Sequence, residues 1–265
     1  MGRPQNQPSS MKGGDQQPML TEPTLEKLKS LRLDAMAVAW TEQVNNADVA
    51  KLSFDERLGL LVDAEWIHRE NKRMKRLLFE AKLKIAQASI EDVDYGGGRD
   101  LDRAQFRQLA TCRWIEEHTN VVLTGMTGVG KTYLACALAQ QACRKGYRAL
   151  YRRAARLFHE LALARADGTY IRALGKIARF DVLVIEDFGL APLTDTERND
   201  LLELLDDRCG SSSTIVTSQL PPKTWHEYLH DPSTADAICD RVLHTAHKIA
   251  LKGPSRRKEK PTRGD

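Results

Sequence analysis

The chain has 265 residues, of which 42% are hydrophobic and 29% charged, and its formal net charge is +4. This length accommodates one main domain with a sizeable core and a smaller second domain, and the composition is ordinary for a globular protein. No apolar run approaches the roughly 18 residues that a membrane-spanning helix needs. No apolar segment follows the basic N-terminus, as it would in a secretory signal. We therefore expect neither a membrane protein nor a secreted one, and no membrane partner.

The five cysteines are odd in number and form no C-x-x-C pair. This pattern favours buried thiols in a reducing compartment and disfavours both disulfides and a zinc site. We therefore expect a cytoplasmic protein.

The first 95 residues predict a disordered tail followed by a small all-helical domain. Residues 1–19 are rich in Gly, Gln, Pro and Ser, a composition typical of disorder. From residue 20 onward leucines recur at helical spacing, and Ser53 and Glu56 have the spacing of a capping box that begins a long helix. The second half of that helix is basic, which indicates either a solvated face or contact with nucleic-acid phosphates. Its cations are Arg69, Lys72, Arg73, Lys75, Arg76, Lys82 and Lys84.

The rest of the chain predicts an α/β domain over residues 96–253, followed by a basic tail at 254–265. Residues 92–100 contain three consecutive glycines and predict a linker. Residues 101–118 predict one helix that leads directly into the first strand. Strands then alternate with helices, and their continuous apolarity suits parallel strands covered on both faces. The predicted fold is a parallel, doubly wound sheet flanked by helices.

A glycine-rich motif, G-x-x-x-x-G-K-T, lies between the first strand and a helical stretch, which is the context that a P-loop requires. Its glycines let successive N–H groups turn toward phosphate oxygens, and the following helix N-terminus adds partial positive charge. Lys131 is expected to reach the β- and γ-phosphates, and the Thr132 hydroxyl to bind Mg²⁺. The predicted nucleotide-binding residues are Gly125, Met126, Thr127, Gly128, Val129, Gly130, Lys131 and Thr132.

Polar residues end two later strands. Glu186 and Asp187 follow the apolar run 182–185, and Thr217 and Ser218 end the strand at 213–218. Because the carboxyl ends of parallel strands meet at one edge of a sheet, both pairs are expected to line the nucleotide site. An acid pair after such a strand is typical of a Walker B motif, in which one carboxylate holds Mg²⁺ and the other orients the attacking water. The pattern therefore favours hydrolysis over phosphate transfer to a small molecule.

Several motifs together resemble those of the IstB/DnaC-like AAA+ ATPases, and most closely the IstB-type transposition helpers of bacterial insertion sequences. The resemblance covers roughly residues 20–258. It is carried by the P-loop and by Leu-Ala-Cys-Ala-Leu (134–138), Val-Ile-Glu-Asp-Phe-Gly-Leu (184–190), Thr-Ser-Gln-Leu-Pro (217–221), Asp-Arg-Val (240–242) and Gly-Pro-Ser-Arg-Arg-Lys (253–258). It implies that the α/β domain is an AAA+ domain that binds ATP and Mg²⁺, and that the helical N-terminal domain binds partners.

The resemblance also implies roles for three residues beyond the P-loop. Ser218 matches sensor 1, a polar group that contacts the γ-phosphate or the water, although its hydroxyl alternatively satisfies a strand-end turn. Arg241 matches the arginine finger that reaches a neighbouring subunit's γ-phosphate; the alternative is a surface arginine. Arg257 matches the C-terminal sensor arginine, with Arg256 as the competing register.

One departure from the family pattern concerns the acid pair. The family usually has Asp followed by a second acid, whereas here Glu186 precedes Asp187. By register Glu186 takes the Mg²⁺ role and Asp187 the water-orienting role. The changed order leaves two further alternatives, slow turnover or an exchange of the two roles.

The helical element before the Walker B strand is expected to track a DNA backbone, because in the resembling family it faces the interior of the oligomer. Arg172, Lys176 and Arg179 are the predicted DNA-binding residues. They lie off a predicted buried stripe of Ile171, Leu174 and Ile177. Since the sequence contains no base-reading motif, binding to double-stranded DNA should be sequence-independent and steeply salt-dependent.

The expected function is that of an ATP-dependent regulator that oligomerises on duplex DNA, with ATP at the subunit interfaces, and recruits or activates a transposase. ATP hydrolysis would then drive disassembly. One alternative is a helicase loader with the same ATPase core that acts on single-stranded DNA. Another is a nucleotide-gated DNA-binding scaffold that scarcely hydrolyses ATP.

Overall fold

The computed structural model describes residues 21–96, 98 and 100–256. The chain divides into two compact units, residues 1–72 and 73–265. The predicted disordered tail at 1–19 lies outside the described residues, as does the part of the basic C-terminal tail from residue 257 onward.

The first unit is helical, as predicted. It contains α1 (Thr21–Ser30), α2 (Asp34–Val44), a 3₁₀ turn (Val49–Lys51) and the first part of α3 (Phe54–Ala81), which spans the division between the units. The predicted capping box is confirmed. The Glu56 N–H donates to Ser53 Oγ at 3.3 Å, and the Ser53 N–H donates to Glu56 Oε2 at 2.8 Å. The hydrogen bonds from the Ser53 side chain and backbone also hold the pKa of Glu56 below its usual range.

A carboxylate on α3 satisfies the start of α2. Glu65 accepts the backbone N–H groups of Ala35 and Met36 at 3.0 and 3.1 Å, and it pairs with Arg69 at 2.7 Å. The first N–H groups of a helix have no partner inside the helix, and the helix dipole favours a negative charge beside them. Glu65 therefore fixes α2 against α3 within this unit.

The second unit begins inside α3, well before the predicted linker. Leu77, Ala81, Ala88 and Val93 are buried in the same core as the sheet. The stretch predicted to be a linker is packed too, since Tyr95 makes an edge-to-face contact with Phe106 at 6.3 Å. Residues 77–101 contain many apolar side chains, and these side chains are removed from water only when they pack against the α/β core.

The predicted single helix at 101–118 is wrong. The structure contains α4 (Arg103–Ala110) and α5 (Arg113–Glu116), which are separated by Cys112 in the left-handed region at φ 66°. The break lets the indole N–H of the buried Trp114 donate to the Leu109 carbonyl at 2.9 Å. Core packing by Trp114 therefore outweighs the continuation of a regular helix.

The sheet has five parallel strands in the order β2-β3-β4-β1-β5. The strands are β1 (Val121–Gly125), β2 (Ala149–Arg153), β3 (Val182–Phe188), β4 (Ser213–Ser218) and β5 (His247–Leu251). Alternate side chains enter two cores, so both faces of the sheet are covered. One face packs against α4, α5 and α6 (Lys131–Arg144), and the other against α7 (Ala154–Ala166), α8 (Tyr170–Ala178), α9 (Asp195–Arg208), α10 (Trp225–Leu229) and α11 (Pro232–Leu243). The predicted doubly wound α/β fold is confirmed.

A buried arginine at the end of α9 fixes the end of α8. The Arg208 guanidinium donates to the carbonyls of Ala178 and Phe180 at 3.1 and 2.7 Å and to the carbonyl of Ser213. Burial lowers the pKa of Arg208 to about 9, which still leaves it charged at neutral pH. The last carbonyls of a helix lack partners inside the helix, so Arg208 joins α8 to α9 and β4.

Four of the five thiols are buried, as expected, and Cys209 is exposed. Burial raises the pKa of Cys112, Cys136 and Cys143 to about 11. Within residues 21–256, apart from 97 and 99, no helix is long and apolar enough to cross a membrane, and no group of three His, Cys, Asp or Glu side chains converges on a possible metal site.

Candidate functional site

The glycine loop turns sharply between β1 and α6, and at two of its glycines the neighbouring residues leave no room for a side chain. Gly125 has φ 142° and Gly128 has φ 89°, which L side chains rarely adopt. A Cβ on Gly125 would collide with the Leu251 carbonyl of β5, and one on Gly128 would collide with the Ser255 side chain. These contacts explain why glycine is required at both positions.

Lys131 opens α6 and folds back over the loop. Its Nζ donates to the carbonyl oxygens of Gly125 at 2.6 Å and Met126 at 2.9 Å. Met126 itself is exposed, whereas Val129 is buried. A cation at a helix N-terminus, beside a loop of backbone N–H groups, is suited to bind phosphate.

Glu186 and Thr132 meet across the site, which joins the two predicted motifs. Glu186, on β3, is 1% exposed, and one of its carboxylate oxygens accepts the Thr132 hydroxyl of α6. The Lys84 ammonium lies 3.3 and 3.4 Å from the two carboxylate oxygens. Mg²⁺ prefers carboxylate and hydroxyl oxygens, so the Thr132 and Glu186 oxygens fit this metal.

The side chains of Asp187 and Glu186 have different partners, although the two residues are adjacent in sequence. The pairing of β3 with β4 is irregular after Ile185, and Asp187 has φ 60°, a conformation that Asp tolerates better than most residues. Its N–H donates to Thr217 Oγ1 at 3.1 Å, and its carboxylate pairs with Arg153 at 3.1 Å. The two adjacent acids therefore serve separate positions, with Glu186 toward Thr132 and Asp187 toward the cavity.

A cavity of about 340 Å³ lies over the loop, at the carboxyl ends of the strands. This volume falls in the range of small-molecule sites. Besides P-loop residues and Asp187, it is lined by Lys84, Ile85, Tyr133, Gln219 and Arg256. Sequence reasoning missed Lys84 and Ile85 as site residues, because it assigned them to the helical N-terminal domain. It also did not select Gln219, whose only signal was its place next to Ser218.

The Ser218 hydroxyl forms hydrogen bonds with two backbone groups of the protein. Ser218 is buried; its Oγ donates to the Phe188 carbonyl at 2.6 Å and accepts the Leu220 N–H at 3.0 Å. This arrangement corresponds to the strand-end turn weighed as the alternative to sensor 1. Gln219, the next residue, lines the cavity.

Arg241 lies at the opposite end of the sheet from the glycine loop. It belongs to α11, pairs with Asp206 of α9, and lines a separate cavity of about 380 Å³ beside residues 117–120, which precede β1. Its side chain is 28% exposed. Arg241 therefore does not line the cavity over the glycine loop of its own chain.

Arg257 lies outside the described residues, but its neighbour Arg256 lines the cavity over the glycine loop. The backbone N–H of Arg256 donates to the Gly128 carbonyl at 3.0 Å. Its guanidinium pairs with Asp94. The segment after β5 therefore contacts the glycine loop directly.

The three predicted DNA-binding residues share one groove. Arg172, Lys176 and Arg179 line a cavity of about 390 Å³ together with Arg148, which sequence reasoning missed. Arg148 precedes β2, and its guanidinium lies over the Phe180 ring at 4.7 Å. We call this cavity, with its four cations, the α8 groove.

One residue of the predicted buried stripe is misplaced. Ile171 is 73% exposed and lines the α8 groove, so its predicted burial is wrong. The buried side of α8 consists of Tyr170, Leu174 and Ile177. Tyr170 takes the inner position because its hydroxyl lies within hydrogen-bond distance of the carboxylates of Asp200 and Glu203 on α9, at 2.8 and 2.7 Å.

Four of the cations predicted around the second half of α3 contact protein groups. Arg69 pairs with Glu65, Arg76 with Glu80 at 4.0 Å, and Lys84 with Glu186. Arg73 donates to the Gly146 carbonyl at 3.3 Å. Lys82 and Lys84 follow α3, which ends at Ala81, rather than lying on it.

Comparison with known proteins gives a family match over almost the whole chain. The family model described as "IstB-like ATP binding protein" matches residues 26–263. The chain is 48% identical over 240 residues to the insertion-sequence ATP-binding protein y4pL of Sinorhizobium fredii strain NGR234, covering 91% of this chain and 98% of that relative. It is 52% identical over 206 residues to the ATP-binding protein of insertion sequence IS1162 from Pseudomonas fluorescens, covering 78% and 89%.

Solved structures with the same architecture include DnaI, at a TM-score of 0.56 and 24% identity over 67% of this chain and 94% of that chain. AMPPCP-bound DnaA from Aquifex aeolicus aligns at a TM-score of 0.52 and 15% identity, over 63% of this chain and 50% of that one. At these identities the likeness establishes the P-loop AAA+ fold alone.

Replacing Ser218 and Gln219 separately should give different defects. Ser218→Ala removes a buried hydroxyl with two backbone partners, so the free energy of unfolding should fall by about 1–3 kcal/mol. Gln219→Ala should leave stability unchanged and lower the ATP turnover rate on the order of 100-fold, as for loss of one preorganised polar contact. Denaturant unfolding and steady-state phosphate release measure the two effects. A stable Ser218→Ala protein with lost turnover would instead support Ser218 as the sensor.

Proposed function

The chain belongs to the IstB-like ATP-binding proteins, a family of P-loop ATPases, and from this premise we propose that it assembles on duplex DNA with ATP and recruits or activates a transposase. The observation that carries the proposal is the convergence of two motifs at one edge of the sheet, where Lys131, Thr132 and Asp187 line one cavity and the buried Glu186 accepts the Thr132 hydroxyl. That convergence provides groups for phosphate, Mg²⁺ and water in a chain whose relatives are insertion-sequence ATP-binding proteins.

Each residue of the site has one task in this proposal. Lys131 and the loop N–H groups bind the phosphates. Thr132 and Glu186 would hold Mg²⁺, which would supply positive charge beside the phosphates. Asp187 orients the water that attacks the γ-phosphorus. The Glu186–Thr132 hydrogen bond and the turn of Asp187 toward the cavity support this order of roles.

Arg241 acts on a neighbouring subunit. Its position at the far end of the sheet supports a role at ATP bound to a second copy, where a guanidinium stabilises charge that develops on the γ-phosphate. The ion pair with Asp206 holds the side chain until the neighbour presents its phosphate. The active species is therefore a homo-oligomer with ATP at its interfaces, and hydrolysis there drives disassembly.

The α8 groove binds the DNA backbone. Its four cations suit phosphates, and the described groove offers no acidic side chain and no Asn or Gln to read base edges. Binding in the groove is therefore independent of base sequence and strongly dependent on salt.

The N-terminal helical unit recruits the transposase. Along α3, four apolar side chains at every fourth position are exposed: Phe54 (75%), Leu58 (41%), Val62 (50%) and Trp66 (68%). Residues at this spacing share one face of a helix, and contiguous exposed apolar surface marks an interaction site. This stripe is the proposed docking face for the transposase, in the bacterial cytoplasm.

Assembly on DNA tests the central claim. With ATP and a long duplex, the wild type should show a large rise in apparent mass in light scattering or sedimentation. Lys131→Ala should abolish the rise because it removes phosphate binding, and Arg241→Ala should abolish it because the interface loses its phosphate contact. Lys248→Ala, an exposed cation of β5 outside both sites, is the control. A monomer indifferent to ATP and duplex that assembles on single strands would favour the helicase-loader alternative.

Substitution of Asp187 separates hydrolysis from scaffolding. Asp187→Asn keeps a residue type that tolerates the positive φ and should lower ATP turnover about 100- to 10,000-fold, as for loss of a general base. Binding of ATP and assembly should remain, and disassembly should slow. Phosphate release and the lifetime of the DNA complex measure these effects. An Asp187→Asn protein that disassembles as fast as wild type would favour the nucleotide-gated scaffold.

The α8 groove predicts a particular salt dependence. Arg148→Ala and Lys176→Ala should each weaken duplex binding to a similar degree on unrelated sequences and reduce the slope of log affinity against log salt by about 1. Fluorescence anisotropy over a salt series measures the slope, again with Lys248→Ala as control. An unchanged slope in both variants would place DNA elsewhere on the protein.

A further inference from the structure

We propose that Lys84 is a second lysine of the nucleotide site, a cation that neutralises Glu186 before nucleotide binds and that must release Glu186 when Mg²⁺ is bound. This inference rests on the proposed ATP and Mg²⁺ site. It concerns a residue outside the P-loop and outside the acid pair, in the segment that follows α3.

The contact is between a deeply buried carboxylate and a lysine that reaches it from the surface. Lys84 Nζ lies 3.3 and 3.4 Å from the two carboxylate oxygens of Glu186. The Glu186 side chain is 1% exposed, whereas that of Lys84 is 45% exposed. A carboxylate removed from water needs hydrogen bonds and an opposite charge, and Lys84 supplies both.

Lys84 and the metal compete for the same group. Mg²⁺ held between Thr132 and Glu186 requires lone pairs of the Glu186 carboxylate, which now accept the Thr132 hydroxyl and face the Lys84 ammonium. Two cations within a few ångströms of one another in a buried site repel strongly. Mg²⁺ binding therefore requires Lys84 to leave.

The segment around Lys84 is anchored, so that the side chain can move while the backbone stays in place. Ala88 is buried in the core, and the Ser89 N–H lies 3.4 Å from the Tyr133 hydroxyl of α6. A lysine side chain carries its charge on a flexible four-carbon stem. The cavity that Lys84 lines gives the displaced ammonium open space beside the site.

The experiment measures equilibrium binding of a fluorescent ATP analogue as a function of Mg²⁺ concentration, without relying on turnover. Lys84→Met removes the competing cation with little change in side-chain length. The Mg²⁺ concentration for half-maximal binding should fall about fivefold or more, the usual scale of coupling between two binding events. Lys84→Arg should restore a requirement close to wild type, because it returns a cation.

A neighbouring lysine provides the matched control. Lys82 is exposed and two residues away, so Lys82→Met makes the same change of charge in the same segment and should leave the Mg²⁺ requirement unchanged. Thermal unfolding of each variant shows whether the protein is folded. If Lys84→Met does not fold, the proposal is tested by comparing Lys84→Arg with the wild type. Because arginine keeps the cation, an Mg²⁺ requirement that changes fivefold or more in Lys84→Arg overturns the proposal.

The outcomes separate this inference from the proposed function. An unchanged or raised Mg²⁺ requirement in Lys84→Met overturns the competition. So does binding that weakens equally with Mg²⁺ and with a chelator, since Lys84 would then be a plain phosphate ligand. A wild type that binds no analogue at any Mg²⁺ concentration overturns the nucleotide site itself, and this inference with it. Loss of analogue binding in Lys131→Ala shows that the signal comes from the P-loop.

Discussion

The hydrogen bond from the Thr132 hydroxyl to the buried Glu186 carboxylate is the interaction on which the proposed nucleotide site depends. Thr132 belongs to α6, directly after the glycine loop of β1, and Glu186 belongs to β3, which β4 separates from β1. Because the sheet is parallel, the carboxyl ends of β1, β4 and β3 lie at one edge, and the strand order makes these three strands neighbours. The two covered faces of the sheet keep Glu186 away from water, where its charge must be satisfied by specific partners.

The two ends of the sheet carry different groups. The carboxyl end bears the loop, the acid pair and Gln219, whereas the amino end bears Arg241 and the α8 groove. The last turn of α9 connects the groups at the amino end: Asp206 pairs with Arg241, and Arg208 donates to the last two carbonyls of α8. The helix α9 therefore contacts both Arg241, the proposed phosphate contact to a neighbouring subunit, and α8, which carries proposed DNA contacts.

Local patterns predicted much of the α/β unit correctly, and they failed where packing between distant segments decides. The P-loop, the strand ending in Glu186 and Asp187, and the capping box of Ser53 and Glu56 each depend on residues close in sequence. Cys112 interrupts a helix because Trp114 packs into the core, and Ile171 is exposed because Tyr170 finds carboxylates on α9. Hydrophobic periodicity cannot tell which of two neighbouring residues faces the core when a hydrogen bond to another helix determines it.

The sequence by itself determined that the chain has a P-loop, an acid pair at a strand end and a parallel covered sheet, because glycine spacing and continuous apolar strands are local properties of the chain. Tertiary structure alone decided that Lys84 meets Glu186, that Gln219 rather than the Ser218 hydroxyl lines the cavity, and that Arg148 joins the cations of α8. These contacts join residues far apart in the chain or depend on the direction of a side chain at a turn. Burial and hydrogen bonding in the folded protein determine these contacts, and the spacing of residues along the chain does not predict them.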